Sequence, residues 1–296
     1  MCGGGNIQTL RYVNDAGGSL AFGYTGQIIL EHLDLGEVPV ERQTSRGIGQ
    51  DGVSELGRTI GTRVLTARCC LIGADEEERF ALRRRIGRIL NPNVSGRLIY
   101  NNGFRDYVIE CGLGSTVDWG EMFTNRRMQR FEAQFFCPSP FLLDVFETTG
   151  EFLEVTPRLS FPLRIGVPGF LFSSLAGGQI MVENVGDAPS PLRMVVFGPC
   201  LNPSITNQTT GESIRVLFDL RSSESIEITT HFGNKRITLR NLADGTEANI
   251  MHLLDMDTPT SFFSLRPGRN LLHFSADVGA DIGRMNIYFS PRYLMV

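Results

Sequence analysis

The chain has 296 residues, 42% of them hydrophobic and 20% charged, with a formal net charge of −4. That length has room for two domains, and the composition builds cores, which excludes wholesale disorder. The charge is close to balanced in both halves, which excludes the basic face that a nucleic-acid binder presents.

Lys235 is the single lysine; every other basic residue is an arginine. Arginine makes planar, bidentate, weakly hydrated contacts suited to protein interfaces, and a GC-rich genome produces the same bias. No apolar run approaches the roughly 20 residues that cross a bilayer, so no membrane insertion is expected. The opening segment MCGGGNIQTLRYVNDAGG has neither the basic nor the apolar region of a signal peptide. The cysteines at 2, 69, 70, 111, 137 and 200 follow no framework spacing and are expected to be reduced and mostly buried, in a protein made in the cytoplasm.

Residues 26–35 and 58–72 carry β-branched, alternating patterns that predict strands. A helix is predicted from Asp75 to Leu90. Asp75 and Glu78 form a capping box, Glu76 and Glu77 complement the positive end of the helix dipole, and Leu82, Ile86, Ile89 and Leu90 make one apolar stripe. Arg83, Arg84, Arg85 and Arg88 favour its C-terminal end, and Asn91-Pro92 stops it. Strands resume at 96–101, 104–111 and 126–137. Residues 138–160 have prolines at both ends and Gly150 near the middle, so the expected domains are 1–150 and 151–296. Short strands are then predicted at 159–166, 178–185, 191–198, 213–219, 225–230, 235–241, 269–276 and 284–290. Turn signals such as Gly186-Asp187, Thr210-Gly211, Asp244-Gly245 and Pro267-Gly268 separate them, the spacing of a β-sandwich or jelly roll. The fold class expected is mainly β, in two domains, with one helix in the first.

Motifs for chemistry are weak. Gly47, Gly49 and Gly52 satisfy the dinucleotide fingerprint, but no buried strand precedes them and no amphipathic helix follows, so they read as a flexible glycine loop. His32, His231, His252 and His273 are scattered, and no serine sits in a nucleophile elbow. Cys69 and Cys70 are adjacent on a predicted strand and point to opposite faces, which disfavours a shared metal. Asp255 with Asp257, and Asp277 with Asp281, are the acidic pairs that calcium would use; solvated turn acids are the plainer reading. The sequons at Asn93 and Asn207 carry no weight without a secretory route. For stacking on a sugar the second domain has no tryptophan, since Trp119 lies in the first, and Tyr288 and Tyr293 are the available rings. Phe262, Phe263, Phe274 and Phe289 read as core or turn packing. No catalytic, cofactor-binding or metal-binding residue is assigned, and no cofactor is expected.

The order of features resembles the siphophage distal tail protein family. In the first half the carriers are VPVERQTSRGIGQDG at 38–52, RRRIGRILNP at 83–92, GRLIYNNG at 96–103 and NRRMQRFEAQFFCPSPF at 125–141. In the second they are VENVGDAPSPLRMVVFGPCLNPSITNQTTGESI at 182–214, IEITTHFGNKRITL at 226–239 and SFFSLRPGRNLLHFSADV at 261–278. The resemblance runs over about residues 36–290, leaving residues 1–25 as a possible separate arm. It implies a structural protein of the virion tail tip, or baseplate, rather than an enzyme. Its first domain assembles into a hexameric ring, a homo-oligomer that continues the tail tube. Its second domain is a galectin-like β-sandwich. It implies as partners the tail tube protein and hub, fibre or other baseplate proteins, with DNA passing through the lumen unbound. The regions 36–72 and 125–137 are expected to make the ring. The alternative is a carbohydrate-binding module that contacts the host surface. A wall-degrading hydrolase is a third reading, which the missing catalytic motifs disfavour.

Overall fold

The computed structural model describes residues 8–120, 125–145, 148–152, 178–257, 259–280 and 283–296. The chain divides into two compact units. The first runs to Val145 and takes in Tyr293–Val296; the second runs from Phe146 to Arg292. This division lies a few residues before the expected boundary at 150, and it returns the last four residues to the first unit.

The first unit is built on β1 (Thr9–Asn14), β2 (Ser19–Phe22), β3 (Ile28–Asp34), β4 (Val40–Ser45), β5 (Ser54–Ile60) and β6 (Arg63–Ile72). Then come α1 (Glu76–Ile89), β7 (Gly96–Asn101), β8 (Asp106–Leu113), β9 (Met128–Cys137) and β10 (Leu142–Asp144). One sheet runs in the order β2-β1-β7-β8-β9-β6-β3, with β10 attached along β8 and a separate two-stranded hairpin formed by β4 and β5. β8 and β9 alternate buried and open residues, and so does β6 except at buried Cys70, the period-two signature of a sheet with one covered face. The covered face and the helix share one core that includes Leu65, Ile86, Leu98, Phe131 and Phe135.

Two expectations are corrected here. Residues 9–22 are not an arm: they form β1 and β2, pair with each other and with β7, and bury Leu10, Tyr12, Leu20 and Phe22. The predicted strand 58–72 is two strands, broken where Gly61 donates its N–H to the Pro39 carbonyl at 2.8 Å. The helix forms as predicted, with the Asp75 side chain accepting from the Glu78 N–H at 2.8 Å. Its buried face also carries Arg79, which donates to Gln129 at 3.2 Å. Asn14, buried at the end of β1, donates to the Ile89 carbonyl at 3.0 Å and so satisfies one of the helix's last acceptors.

The second unit contains β11 (Thr148–Phe152), β12 (Gln179–Asn184), β13 (Leu192–Phe197), β14 (Cys200–Leu201), β15 (Ser204–Asn207) and β16 (Glu212–Arg215). It continues with β17 (Asp219–Leu220), β18 (Glu224–Thr229), β19 (Arg236–Asn241), β20 (Glu247–Asn249), β21 (Gly268–Ser275) and β22 (Arg284–Phe289). A six-stranded sheet, β11-β22-β13-β18-β19-β20, and a four-stranded sheet, β12-β21-β15-β16, are both antiparallel. Side chains from both enter one core: Val196, Ile228 and Ile287 from the first, Val182, Ile205 and Phe274 from the second. The strand predicted at 159–166 lies outside the described residues.

The motifs that carried the resemblance turn out to be turn-builders. Buried Asn184 donates to the carbonyls of Ala188 and Leu265 at 3.1 and 3.0 Å, while its oxygen accepts from the Gly186 N–H. Gly186 is needed because a Cβ there would stand 2.6 Å from backbone atoms of Arg292. Asn270 does the same work in the turn before β21, bonding to the Arg266 and Gly268 carbonyls at 2.8 and 3.0 Å.

Candidate assembly surface

The β4–β5 hairpin has no buried side chain: every residue of both strands is exposed except half-buried Gly57. Ile48 and Leu56 are fully and 71% exposed, and Val40, Val53 and Ile60 add to the apolar surface. Along one face Val40 pairs with Ile60, and next to them Arg42 stands opposite Arg58. Like charges directly across a ladder oppose pairing, and a lone two-stranded hairpin is marginal in water. Here Glu55 offsets part of that repulsion through its ion pair with Arg42 at 3.1 Å.

Local chemistry holds the hairpin's shape at both ends. At the tip, Gln50 accepts from the Gly47 N–H at 2.9 Å and donates to Ser54 at 3.0 Å, and Arg46 donates to its carbonyl at 3.0 Å. Gly49 and Gly52 take φ of +77° and +76°, which other residues rarely adopt. The glycine run that mimicked a dinucleotide fingerprint is therefore the tip of a hairpin. At the base, a Cβ on Gly36 would lie 2.0 Å from the Val64 carbonyl oxygen, so the chain crosses β6 there too closely for any side chain.

Beside the hairpin's root, the outer face of β3-β6-β9 carries a charge ladder. Arg130 donates to both oxygens of Glu31 at 2.9 Å, and Arg68 donates to Glu132 at 2.8 Å. Arg68, helped by Gln134, holds the Glu132 carboxyl below its ordinary pKa. A cleft of about 350 Å³ opens between these residues, with Asp118 and Phe131 on its wall. Val64 and Phe136, opposite one another and both exposed, extend this face with an apolar pair. The strands that line it, 63–72 and 128–137, and the hairpin at 40–60 fall in the two regions expected to make the ring.

The remaining candidate residues do not converge on a reactive centre. His32 lies exposed on β3, His231 and His252 are exposed in the second unit, and His273 is half-buried on β21. Cys69 and Cys70 are both buried, and burial raises both thiol pKa values, so the strand does not turn one of them out to solvent. Asp255 and Asp277, expected in separate pairs, both meet Arg215, at 3.8 and 2.9 Å, so a guanidinium occupies the place between the carboxylates. Asp281 lies outside the described residues. Among the described residues no group of three His, Cys, Asp or Glu side chains is arranged to hold a metal. Asn207 is buried in a turn and unavailable to a sugar.

Trp119 packs on Phe131 with ring centroids 5.1 Å apart and lies under the Arg83 guanidinium. Tyr293 meets Tyr107 edge-on at 5.5 Å. Tyr288 is covered by the Arg193 guanidinium, 4.1 Å from its centroid, and Arg193 pairs with Glu227 at 3.6 Å. Tyr288 and Tyr293, the rings available for a sugar, thus each already hold an intramolecular partner. Sequence reading missed buried Arg63, whose Nη2 donates to the Leu294 carbonyl. An arginine at the start of a strand carries no local sign of burial.

Comparison with known proteins agrees with this architecture. Residues 33–137 match the phage tail protein RIFT-related domain, and residues 185–293 match the siphovirus-type tail component, C-terminal domain. No curated protein sequence matches the chain. Among solved structures, the crystal structure of SPP1 Dit (gp 19.1), described as a paradigm of the hub adsorption apparatus in phages infecting Gram-positive bacteria, is similar with a TM-score of 0.65 and 15% identity. The similarity covers 97% of this chain and all of that one. Chains of the phage p2 baseplate in its activated conformation, with Ca and with Sr, align with TM-scores of 0.52 and 0.53 at 11% and 10% identity. Each covers 98% of this chain and 100% of the other. Family models match most of the chain, one in each unit, so the chain belongs to the siphovirus-type tail components, the distal tail proteins of siphophages.

Proposed function

We propose that this protein is a ring-forming adaptor at the distal end of the tail, in which six copies join the tail tube to hub, fibre or other baseplate proteins. The observation that carries the reading is the β4–β5 hairpin: a structurally defined arm, open on both faces and rich in exposed apolar and arginine side chains. An arm of that kind gains stability by lying on a neighbouring copy. The outer face of β3-β6-β9, with its paired charges and the Val64–Phe136 apolar pair, is the surface beside it. In this reading the first unit forms the ring and the second is a galectin-like β-sandwich. DNA passes through the lumen without specific binding, and the near-balanced charge of the chain supports a non-adhesive passage. The role is structural and not catalytic.

The test is sedimentation of the wild-type chain beside an I48D/L56D double variant. The wild type is expected to sediment as a closed oligomer and the variant as smaller species. Equal assembly of the two removes the hairpin from the contact.

A further inference from the structure

We propose that Cys111 and Cys137 form a cross-strand disulfide when the protein leaves a reducing environment, an intrachain bond that pins β8 to β9. The register places them opposite each other. Gly112 pairs with Phe136 and Leu113 with Phe135, so the next position along brings Cys111 against Cys137. The hydrogen-bond phase fixes the kind of pair. Gly114 donates its N–H to the Gln134 carbonyl at 3.0 Å, which makes 114/134 a hydrogen-bonded pair. Alternation then makes 111/137 a non-hydrogen-bonded pair, in which Cα atoms stand about 4.5 Å apart and the side chains are closest. That separation falls inside the range a disulfide spans. Both side chains are buried in the core.

Two further features give the bond a route and a purpose. A cleft of about 640 Å³ is lined by Ser95, Gly96, Arg97, Glu110, Cys111 and Pro138, so it reaches the Cys111 side of the pair. The β8–β9 ladder is also the short junction of the sheet, with two register pairs against ten for β6–β9. A bond at 111–137 lies next to those two pairs and ties the β1-β7-β8 side of the sheet to the β9-β6-β3 side.

The oxidant is a small-molecule disulfide of the glutathione class. The Cys111 sulfur, as thiolate, attacks one sulfur of that disulfide, forming a mixed disulfide and releasing one small thiolate. The Cys137 thiolate then attacks the Cys111 sulfur and releases the second. The two protein thiols lose two protons and two electrons in total. The small disulfide gains them and leaves as two thiols. The neighbouring Cys137 thiol and burial both hold the Cys111 thiol protonated, so the exchange is slow and the bond is not expected to form in the cytoplasm.

The experiment compares the folded full-length chain kept in dithiothreitol with the same chain incubated in excess oxidised glutathione. Both are quenched in acid, alkylated with N-ethylmaleimide under denaturing conditions and digested without reduction. The oxidised sample is expected to yield a linked pair of peptides containing Cys111 and Cys137, with Cys69, Cys70 and Cys200 still alkylated. The thermal midpoint is expected to rise by about 5–10 °C and to return on reduction. A C111A chain is expected to show neither change. The proposal is overturned if both thiols remain alkylatable in oxidised, folded wild type. A glutathione adduct that stays on Cys111, a link through another cysteine, or a lowered midpoint in the linked chain overturns it equally. The wild-type comparison needs no variant, so a C111A chain that fails to fold leaves the test intact.

Discussion

Asn184 shows why the residues that carry the family resemblance are not reactive ones. Its amide closes a turn locally through Gly186 and also ties it to Leu265, 81 positions along the chain. The sequence displayed the Asn-x-Gly-Asp turn but not the distant carbonyl, because nothing near Asn184 announces Leu265. Asn184→Ala leaves those buried groups without partners and is expected to cost about 2–3 kcal/mol, read from urea unfolding. Tyr12 makes a prediction about alkali. Its hydroxyl, buried under the sheet and bonded to the Val94 carbonyl at 3.3 Å, has its pKa raised by burial from 10.0 to about 12. Between those values the unfolded chain releases a proton that the folded chain keeps. The resulting contribution is complete below pH 10 and is lost as pH rises through about 12. A Tyr12→Phe chain is expected to lose stability less steeply across that interval, measured by unfolding at stepped pH.

At the scale of elements, legibility followed how local the determining physics is. The helix was readable because its cap, its dipole charges and its apolar stripe all lie within sixteen residues of sequence, from Asp75 to Leu90. The long strands β6, β8 and β9 were readable because one face is covered, which writes a period of two into the sequence. The hairpin at 40–60 shows in sequence only as a glycine loop at Gly47–Gly52 and the start of the strand predicted from 58, for the opposite reason. Both faces are open, so no alternation marks its strands, and only the tip glycines stand out. β1 and β2 carry little signal because they are short, and the strand on the other side of β1, β7, lies more than eighty residues on. The openness that hid the hairpin also predicts how it tolerates change. In dilute protein I48D/L56D is expected to unfold at the same urea concentration as the wild type, within about 0.5 kcal/mol, since neither side chain touches the core. A loss of assembly in that variant is then a loss of contact, not of fold.

At the scale of the whole molecule, two units each carry their own core, yet the first is completed only by the final residues of the chain. Tyr293 packs on Tyr107, and the Leu294 carbonyl accepts from the buried Arg63 guanidinium, whose pKa burial lowers. Removing residues 293–296 strips that cation of a partner and is expected to destabilise the first unit by at least about 2 kcal/mol, measured by thermal unfolding of the truncated chain. Long-range closure of this kind is invisible in a local reading, which is why the boundary was expected near 150 with nothing crossing back. The ring is the largest claim and rests on the exposed arm. Native mass spectrometry of the full-length chain across a dilution series tests it most directly. The account predicts a hexamer that persists on dilution; a monomer at every concentration would contradict it.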